Sequence, residues 1–145
     1  MSESKKWKQQ RVAKYIDEIT NNEGSEANSY SPLKSLLTES ACGICLPVKT
    51  VQVDTPLANL ARPDFLIWLD GIPSELRNEN EHLYAIFEGK PCDDVQENGD
   101  AIAREKLERY QRDGLRYYWQ YDANVIWRID LLEEGNASAP RVWRW

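Results

Sequence analysis

The sequence predicts a mixed α/β domain built around one central sheet. Its 145 residues suffice for a single hydrophobic core and are too few for two ordinary domains. Apolar residues repeat at helical spacing in three segments, and short apolar runs of strand-like composition occupy much of the remainder. The expected element order is α-α-β-β-β-α-β-β, in which helices flank a mixed central sheet.

Two predicted helices open the chain. Apolar residues at helical spacing predict an amphipathic helix over about residues 4–20. Ser31 followed by Pro32 is typical of the start of a second helix, although that start could lie earlier, around Ser25. Gly43 lies just beyond the expected end of this second helix.

Three predicted strands follow Gly43. The first is the extended segment around Val48, Val51 and Val53. The other two are nearly continuous apolar runs at 65–69 and 82–87, as in central strands, joined by a polar hairpin loop.

A third helix and two more strands complete the predicted order. Asp100 can cap a helix that runs to about Asp113, with Gly114 as its stop signal. Residues 116–121 and 125–130 are then expected to form two strands about a tight turn.

The expected domain organisation has three parts. Residues 1–22 form an N-terminal helix, 23–133 the main domain, and 134–145 a tail, a final strand or the start of a longer protein. Tryptophans inside predicted strands, such as Trp119, are expected in the core. Trp143, which lies between arginines, could instead stack on nucleic acid, pack on the sheet or pack on a missing domain.

Charge and composition exclude several classes of function. The net charge of −6 argues against a free-standing nucleic-acid binder held by bulk charge. Residues 61–100 alone hold ten acidic and three basic side chains, a net charge of −7. The sequence contains neither the ~18 consecutive apolar residues of a membrane-spanning helix nor an export signal. We therefore expect a cytoplasmic protein without membrane association.

Three cysteines leave a zinc site as an alternative interpretation. Cys42 and Cys45 have zinc-ligand spacing, and His82 with Cys92 could complete a set of four ligands. A single short Cys-x-x-Cys is a weak signal, so buried reduced thiols are the simpler interpretation.

Charged residues occur where two apolar strands begin and end. Pro63-Asp64 opens one strand, and Glu88-Gly89-Lys90 closes the next. In an antiparallel pair the start of one strand lies beside the end of the other, so Asp64 is expected beside Glu88 and Lys90. Two carboxylates at the edge of an apolar sheet are costly unless a cation compensates them. Magnesium suits such ligands and, with Lys90 orienting water or stabilising charge, would support phosphodiester hydrolysis.

These residues resemble the PD-(D/E)xK nuclease superfamily, most closely the N-terminal nuclease domains of fused restriction–modification enzymes of type I and type II. The resemblance spans about residues 23–130 and rests on matching segments in the same order. These segments are 25–33 at a helix start, 62–65 and 88–90 on the two strands, and 105–110 on a later helix.

The resemblance implies a restriction-endonuclease-like fold and a Mg²⁺-dependent deoxyribonuclease, with Mn²⁺ as a substitute. It implies that Asp64, Glu88 and Lys90 are catalytic, and that Glu26 is a third metal ligand beside the two acids. Glu23 is the fallback for that third ligand. Lys106 departs from the family pattern, because relatives often carry glutamine there.

Side chains expected to contact phosphate are Lys106, Arg109 and Arg62. The expected partners are DNA and a methyltransferase or specificity domain or subunit. Because restriction nucleases commonly need two active sites to cut both strands, the resemblance also favours a homodimer. A non-catalytic interaction or regulatory module with a nuclease fold is the alternative, supported by the acidic balance and by Lys106.

Overall fold

The structure is a computed structural model. It describes residues 3–21, 26–43, 48–69, 72–131 and 137–145. Within the helices and strands it describes the backbone alone for residues 3–9, 11, 26–27, 39–43 and 48–50.

Three helices and six strands make up the described part of the chain. The helices are α1 (Glu3–Thr20), α2 (Tyr30–Gly43) and α3 (Asp94–Tyr110). The strands are β1 (Val48–Val53), β2 (Phe65–Leu69), β3 (Leu83–Gly89), β4 (Tyr117–Tyr121), β5 (Val125–Asp130) and β6 (Arg141–Arg144). Short 3-10 turns occupy Glu26–Ser29, before α2, and Ser74–Leu76, between β2 and β3.

The six strands form one mixed sheet in which spatial order follows chain order, from β1 to β6. Every neighbouring pair is antiparallel except β3 and β4, which run parallel. A parallel pair needs a crossover connection, and α3 provides it. The expected mixed α/β architecture is therefore present, and the tail contributes β6 as a sixth strand.

The sheet separates two hydrophobic cores. On one face α3 packs against β4 and β5, and on the other α2 packs against β1. The α3-side core contains Leu66, Ile86, Ala103, Tyr118 and Ile129. The opposite core contains Ile19, Leu33, Phe65, Phe87 and Tyr121. Alternation along each strand assigns successive residues to these two faces.

The bounds predicted for the third helix were wrong at both ends. The helix begins at Asp94, six residues before the expected cap at Asp100, and bends at Asn98, which has φ −126° and ψ 21°. A Cβ at Gly99 would lie 2.3 Å from the Trp127 ring, so a glycine permits close approach of helix and sheet. The expected cap at Asp100 therefore follows a bend inside the helix and does not mark the helix start.

The same helix ends at Tyr110, three residues before the expected Asp113. Gly114 does not stop the helix. A Cβ there would lie 2.7 Å from the carbonyl oxygen of Asn80, so this glycine lets the loop pass close to the β2–β3 connection.

Within the described residues, none of the helices combines the length and apolar character needed to cross a bilayer.

Candidate active site

The antiparallel pairing of β2 and β3 brings Asp64 beside Glu88. Phe65 pairs with Phe87, so Asp64 and Glu88 occupy the next opposed positions along the two strands. The backbone N–H of Gly89 donates a hydrogen bond of 2.7 Å to Oδ2 of Asp64, which fixes one carboxylate against the end of the other strand. The expected juxtaposition of these acids is present.

Glu88 is buried, with 4% of its surface exposed, although it is a carboxylate. Alternation from Ile86 places its side chain on the α3 face, where the Tyr110 hydroxyl donates a 2.6 Å hydrogen bond to Oε1. Burial, with repulsion from Asp64 as the second cause, raises the pKa of Glu88 to about 7. The site therefore holds a carboxylate that is only partly ionised at neutral pH when no cation is bound.

Tyr110 links this acid to α3. Burial and the nearby charge of Glu88 raise the pKa of the Tyr110 hydroxyl far above its usual range, so it remains a hydrogen-bond donor. The Lys106 ammonium lies 5.8 Å from the centre of the Tyr110 ring, one helical turn earlier. Lys106 and Lys90 both lower the pKa of Glu88, and Lys106 has the larger effect.

A series of buried hydrogen bonds joins β4 to α3 next to Glu88. Gln120 lies opposite Glu88 in the parallel β3–β4 pair. The Tyr118 hydroxyl donates to Oε1 of Gln120 at 2.8 Å, and Nε2 of Gln120 donates to the carbonyl of Gly99 at 2.9 Å. These bonds attach α3 to the strand beside the acidic pair and satisfy polar groups that burial would otherwise penalise.

The other residues predicted for the site differ in how closely they approach the Asp64–Glu88 pair. Lys90 is half-buried just beyond β3, and its backbone N–H donates to the carbonyl of Tyr121 at 2.8 Å. Arg62 is exposed and lies 3.6 Å from Asp54, while Arg109 pairs with Glu105 at 3.2 Å on the solvent side of α3. Of the three predicted phosphate contacts, Lys106 is therefore the one that lies beside the acidic pair, where it contacts Tyr110 and lowers the pKa of Glu88.

The third predicted metal ligand falls outside the described side chains. The backbone of Glu26 belongs to the 3-10 turn that packs against β3, but its side chain is not described, and neither is any part of Glu23. Among the described residues, no group of three or more His, Cys, Asp or Glu side chains has a metal-binding arrangement. Asp64 and Glu88 nevertheless suit a hard divalent cation, because both offer carboxylate oxygen and Glu88 is buried.

The alternative zinc set is incomplete in the described residues. Cys45 lies outside them, and so does the side chain of Cys42. Cys92 is exposed after β3. The Nδ1 atom of His82 accepts a 3.0 Å hydrogen bond from the backbone N–H of Asn78.

Sequence reasoning missed the role of Tyr110, because its spacing from Ala103 and Leu107 makes it look like one residue of an apolar stripe along α3. Two signals could have identified it. Strand alternation places Glu88 on the face that α3 covers, and a buried carboxylate requires a donor from that helix. Tyr110 is the polar-tipped member of the apolar stripe nearest the helix end.

Comparison with known proteins supports this fold at low sequence similarity. No family profile matches the sequence, and no curated protein matches it significantly. A solved structure of similar fold is a chain from the cryo-EM structure of a DrdV–DNA complex, with a TM-score of 0.56 and 15% sequence identity. The match covers 92% of this chain and 12% of that one, so this domain corresponds to a small part of a much longer protein.

Proposed function

We propose that this chain is a metal-dependent DNA endonuclease domain that hydrolyses phosphodiester bonds and acts as the cleavage module of a restriction-type system. The observation that carries the proposal is the Asp64–Glu88 pair, held at adjoining strand ends with Glu88 buried. The fold similarity to a chain of a DNA complex gives independent support for DNA as the substrate. The PD-(D/E)xK resemblance of the motif assigns the chemistry.

Asp64 and Glu88 would hold Mg²⁺, or Mn²⁺ in its place, and Glu26 is the proposed third ligand. An ion held by these residues would supply Lewis-acid chemistry, namely a water of lowered pKa and polarisation of the scissile phosphate. The Gly89 N–H fixes the orientation of Asp64, and the Tyr110 hydroxyl fixes that of Glu88. Because both donors favour the charged carboxylate, they prepare the pair to bind a cation.

The two lysines would act on the phosphate. Lys90 follows Glu88 by two residues and so projects to the same face, where it can orient the attacking water or stabilise the developing charge. Lys106 lies over the Tyr110 ring and adds a second cation beside the acids. We assign Lys106 a phosphate contact at this site, and Arg62 and Arg109 weaker contacts at its margin.

Sequence specificity and most of the affinity for DNA would come from another domain or subunit. The chain is acidic overall, so its own affinity for duplex DNA should be weak and salt-sensitive. We propose that a methyltransferase or specificity domain or subunit supplies target recognition. A homodimer, or two copies brought together on DNA, would provide the two active sites that a double-strand cut requires.

The direct test is cleavage of supercoiled plasmid by the purified protein with Mg²⁺ or Mn²⁺. We expect nicked circles from the wild type, none from Asp64→Ala, and none with EDTA. Glu75→Ala removes one exposed acidic charge on a 3-10 turn and serves as the matched control, which should cleave like the wild type. Equal product from wild type and Asp64→Ala would refute the proposal for this domain.

The alternative is a non-catalytic interaction or regulatory module with a nuclease fold. Lys106 favours it, because a lysine beside Glu88 offsets part of the charge that a metal ion would otherwise neutralise. Calorimetry with Mg²⁺ and Mn²⁺ separates the two functions. Heat of binding that disappears in Glu88→Gln supports the nuclease, whereas no binding to the wild type supports the module.

A further inference from the structure

An aromatic surface lies on the face of the sheet opposite the acidic pair. It consists of Tyr117 and Trp119 on β4, Arg128 on β5 and Trp143 on β6, and we call it the aromatic face. On this side of the sheet α2 packs against β1 and the 3-10 turn before it packs against β3. Trp119 was expected in the core; it packs against the core on this side of the sheet and is half-buried.

Two tryptophans of the aromatic face continue a row of stacked rings that begins at Phe87 on β3. Phe87 stacks on Trp119 with centroids 5.2 Å apart and an interplanar angle of 4°. Trp119 in turn stacks on Trp143 with centroids 6.1 Å apart. Trp143 ends this row, and 42% of its surface is exposed, so part of the indole is accessible to a further ring.

Two arginines, Arg128 and Arg141, lie on the same face as these rings. The Arg128 guanidinium lies 5.4 Å from the ring centre of Tyr117 and 5.6 Å from those of Trp119 and Trp143. Its Nε also lies 2.7 Å from Oδ1 of Asp130, so its charge is partly compensated. Arg141 pairs with Arg128 across the β5–β6 ladder, which places its side chain on the same face, and it is exposed.

We propose that the aromatic face binds single-stranded nucleic acid, with an unpaired base stacked on Trp143 and a phosphate contacted by Arg141. Exposed aromatic rings beside cations are what sequence-independent single-strand binding requires, because every base has a flat π-surface and every linkage a negative charge. This function is not catalytic, and it places a second nucleic-acid contact on the side of the sheet away from Asp64 and Glu88.

A second copy of the chain is a poorer occupant for this region. β6 is an edge strand, and antiparallel pairing of two β6 strands through their centre would set arginine opposite arginine at both ends. Like charges directly opposite each other destabilise a strand pair. The same arginines attract a polyanion, so charge complementarity favours nucleic acid.

The test is fluorescence anisotropy of labelled oligothymidylate and oligouridylate of about 20 nucleotides, a length chosen to exceed a typical single-strand site. EDTA is present throughout, so that binding is measured without cleavage and failure of this inference is distinguishable from failure of the proposed nuclease. Binding of either oligonucleotide supports the inference, and the preferred one shows whether the strand is DNA or RNA.

Variants assign the binding to the aromatic face. Trp143→Ala should weaken binding about ten-fold, and Trp143→Phe should retain most of it, since a ring remains for stacking. Arg141→Ala should reduce the salt dependence by about one phosphate contact. Leu76→Ala, an exposed apolar residue elsewhere, and Lys14→Ala, an exposed cation on α1, are matched controls that should bind like the wild type.

Four results would overturn the inference. The first is no anisotropy change with either oligonucleotide while circular dichroism shows a folded protein. The second is an equal affinity of Trp143→Ala and Leu76→Ala. The third is equal competition by polyglutamate, which would indicate a surface for acidic proteins. The fourth is self-association that depends on Trp143 without nucleic-acid binding.

Discussion

Replacing Glu88 with glutamine should stabilise the metal-free protein at alkaline pH, even though Glu88 is the residue most central to the site. The side chain is 4% exposed, and its pKa is raised from 4.5 to about 7. A raised pKa in the folded state means that the carboxyl group stabilises the fold when protonated. That stability is fully present below the unfolded pKa and is lost as pH rises through the folded value.

The size of the effect follows from this shift. A difference between 4.5 and about 7 corresponds to about 3 kcal/mol of unfolding free energy, lost as the pH rises through the folded pKa. Glutamine does not ionise, and its Oε1 can still accept the Tyr110 hydrogen bond. The stability of Glu88→Gln relative to wild type should therefore increase by about 2–3 kcal/mol between about pH 5 and about pH 8.

Urea denaturation in EDTA, followed by circular dichroism across this pH range, measures the difference directly. The control is Glu75→Gln, which removes an exposed charge on the 3-10 turn and should follow the wild-type profile at every pH. Parallel profiles for wild type and Glu88→Gln would refute the reasoning, because they would show that Glu88 titrates alike in the folded and unfolded chain.

Three further substitutions test the surroundings of this acid. Tyr110→Phe removes the 2.6 Å donor to Glu88, so urea denaturation at neutral pH should show a loss of about 1–3 kcal/mol. Lys106→Gln removes a cation that lowers the pKa of Glu88, so NMR titration of that carboxyl should show a higher pKa. Gly89→Ala would place a Cβ 2.7 Å from the Tyr121 hydroxyl, so thermal unfolding should show a destabilisation of about 1–3 kcal/mol.

Each of these outcomes has its own control. Tyr110→Phe should also raise the pKa of Glu88, because the lost hydrogen bond lowers it, whereas Tyr84→Phe, which alters a half-buried tyrosine on the opposite face, should leave that pKa unchanged. Lys14→Gln, on exposed α1, should likewise leave it unchanged. Adding Tyr121→Phe to Gly89→Ala removes the nearest atom of the clash and should recover part of the lost stability. If the double variant gained nothing, the steric explanation for Gly89 would be wrong.

The central strands and the acidic pair were predictable from sequence for a common reason. The apolar runs of β2 and β3 are buried on both faces, so their composition reports strand structure without help from distant residues. Once they pair antiparallel, the chemistry of their ends follows from geometry alone. Asp64 and Glu88 could thus be placed together from the sequence alone.

The bounds of α3 and the role of Tyr110 were not predictable in the same way. Asn98-Gly99 has the composition of a break, yet the helix bends there and continues, and the Trp127 ring lies so close to Gly99 that a Cβ would clash with it. Tyr110 looks like one more apolar-stripe residue until Glu88 is known to lie beneath α3. In both cases the decisive contact joins elements that are distant in sequence, which local patterns do not encode.

Lys106 has opposing consequences for a nuclease and for an interaction module. In the metal-free protein it offsets part of the Asp64–Glu88 repulsion, which stabilises the fold. The same positive charge opposes binding of a second cation to that pair, so it weakens metal affinity unless Lys106 moves toward a phosphate when DNA is bound. If the chain is a nuclease, the Lys106→Gln variant should bind Mg²⁺ more tightly than the wild type in the absence of DNA. The same variant should bind the DNA backbone more weakly. In a module that binds no metal, the same substitution changes stability alone. A gain in Mg²⁺ affinity, as against no Mg²⁺ binding in either protein, thus separates the two functions at one residue where this chain departs from the nucleases it resembles.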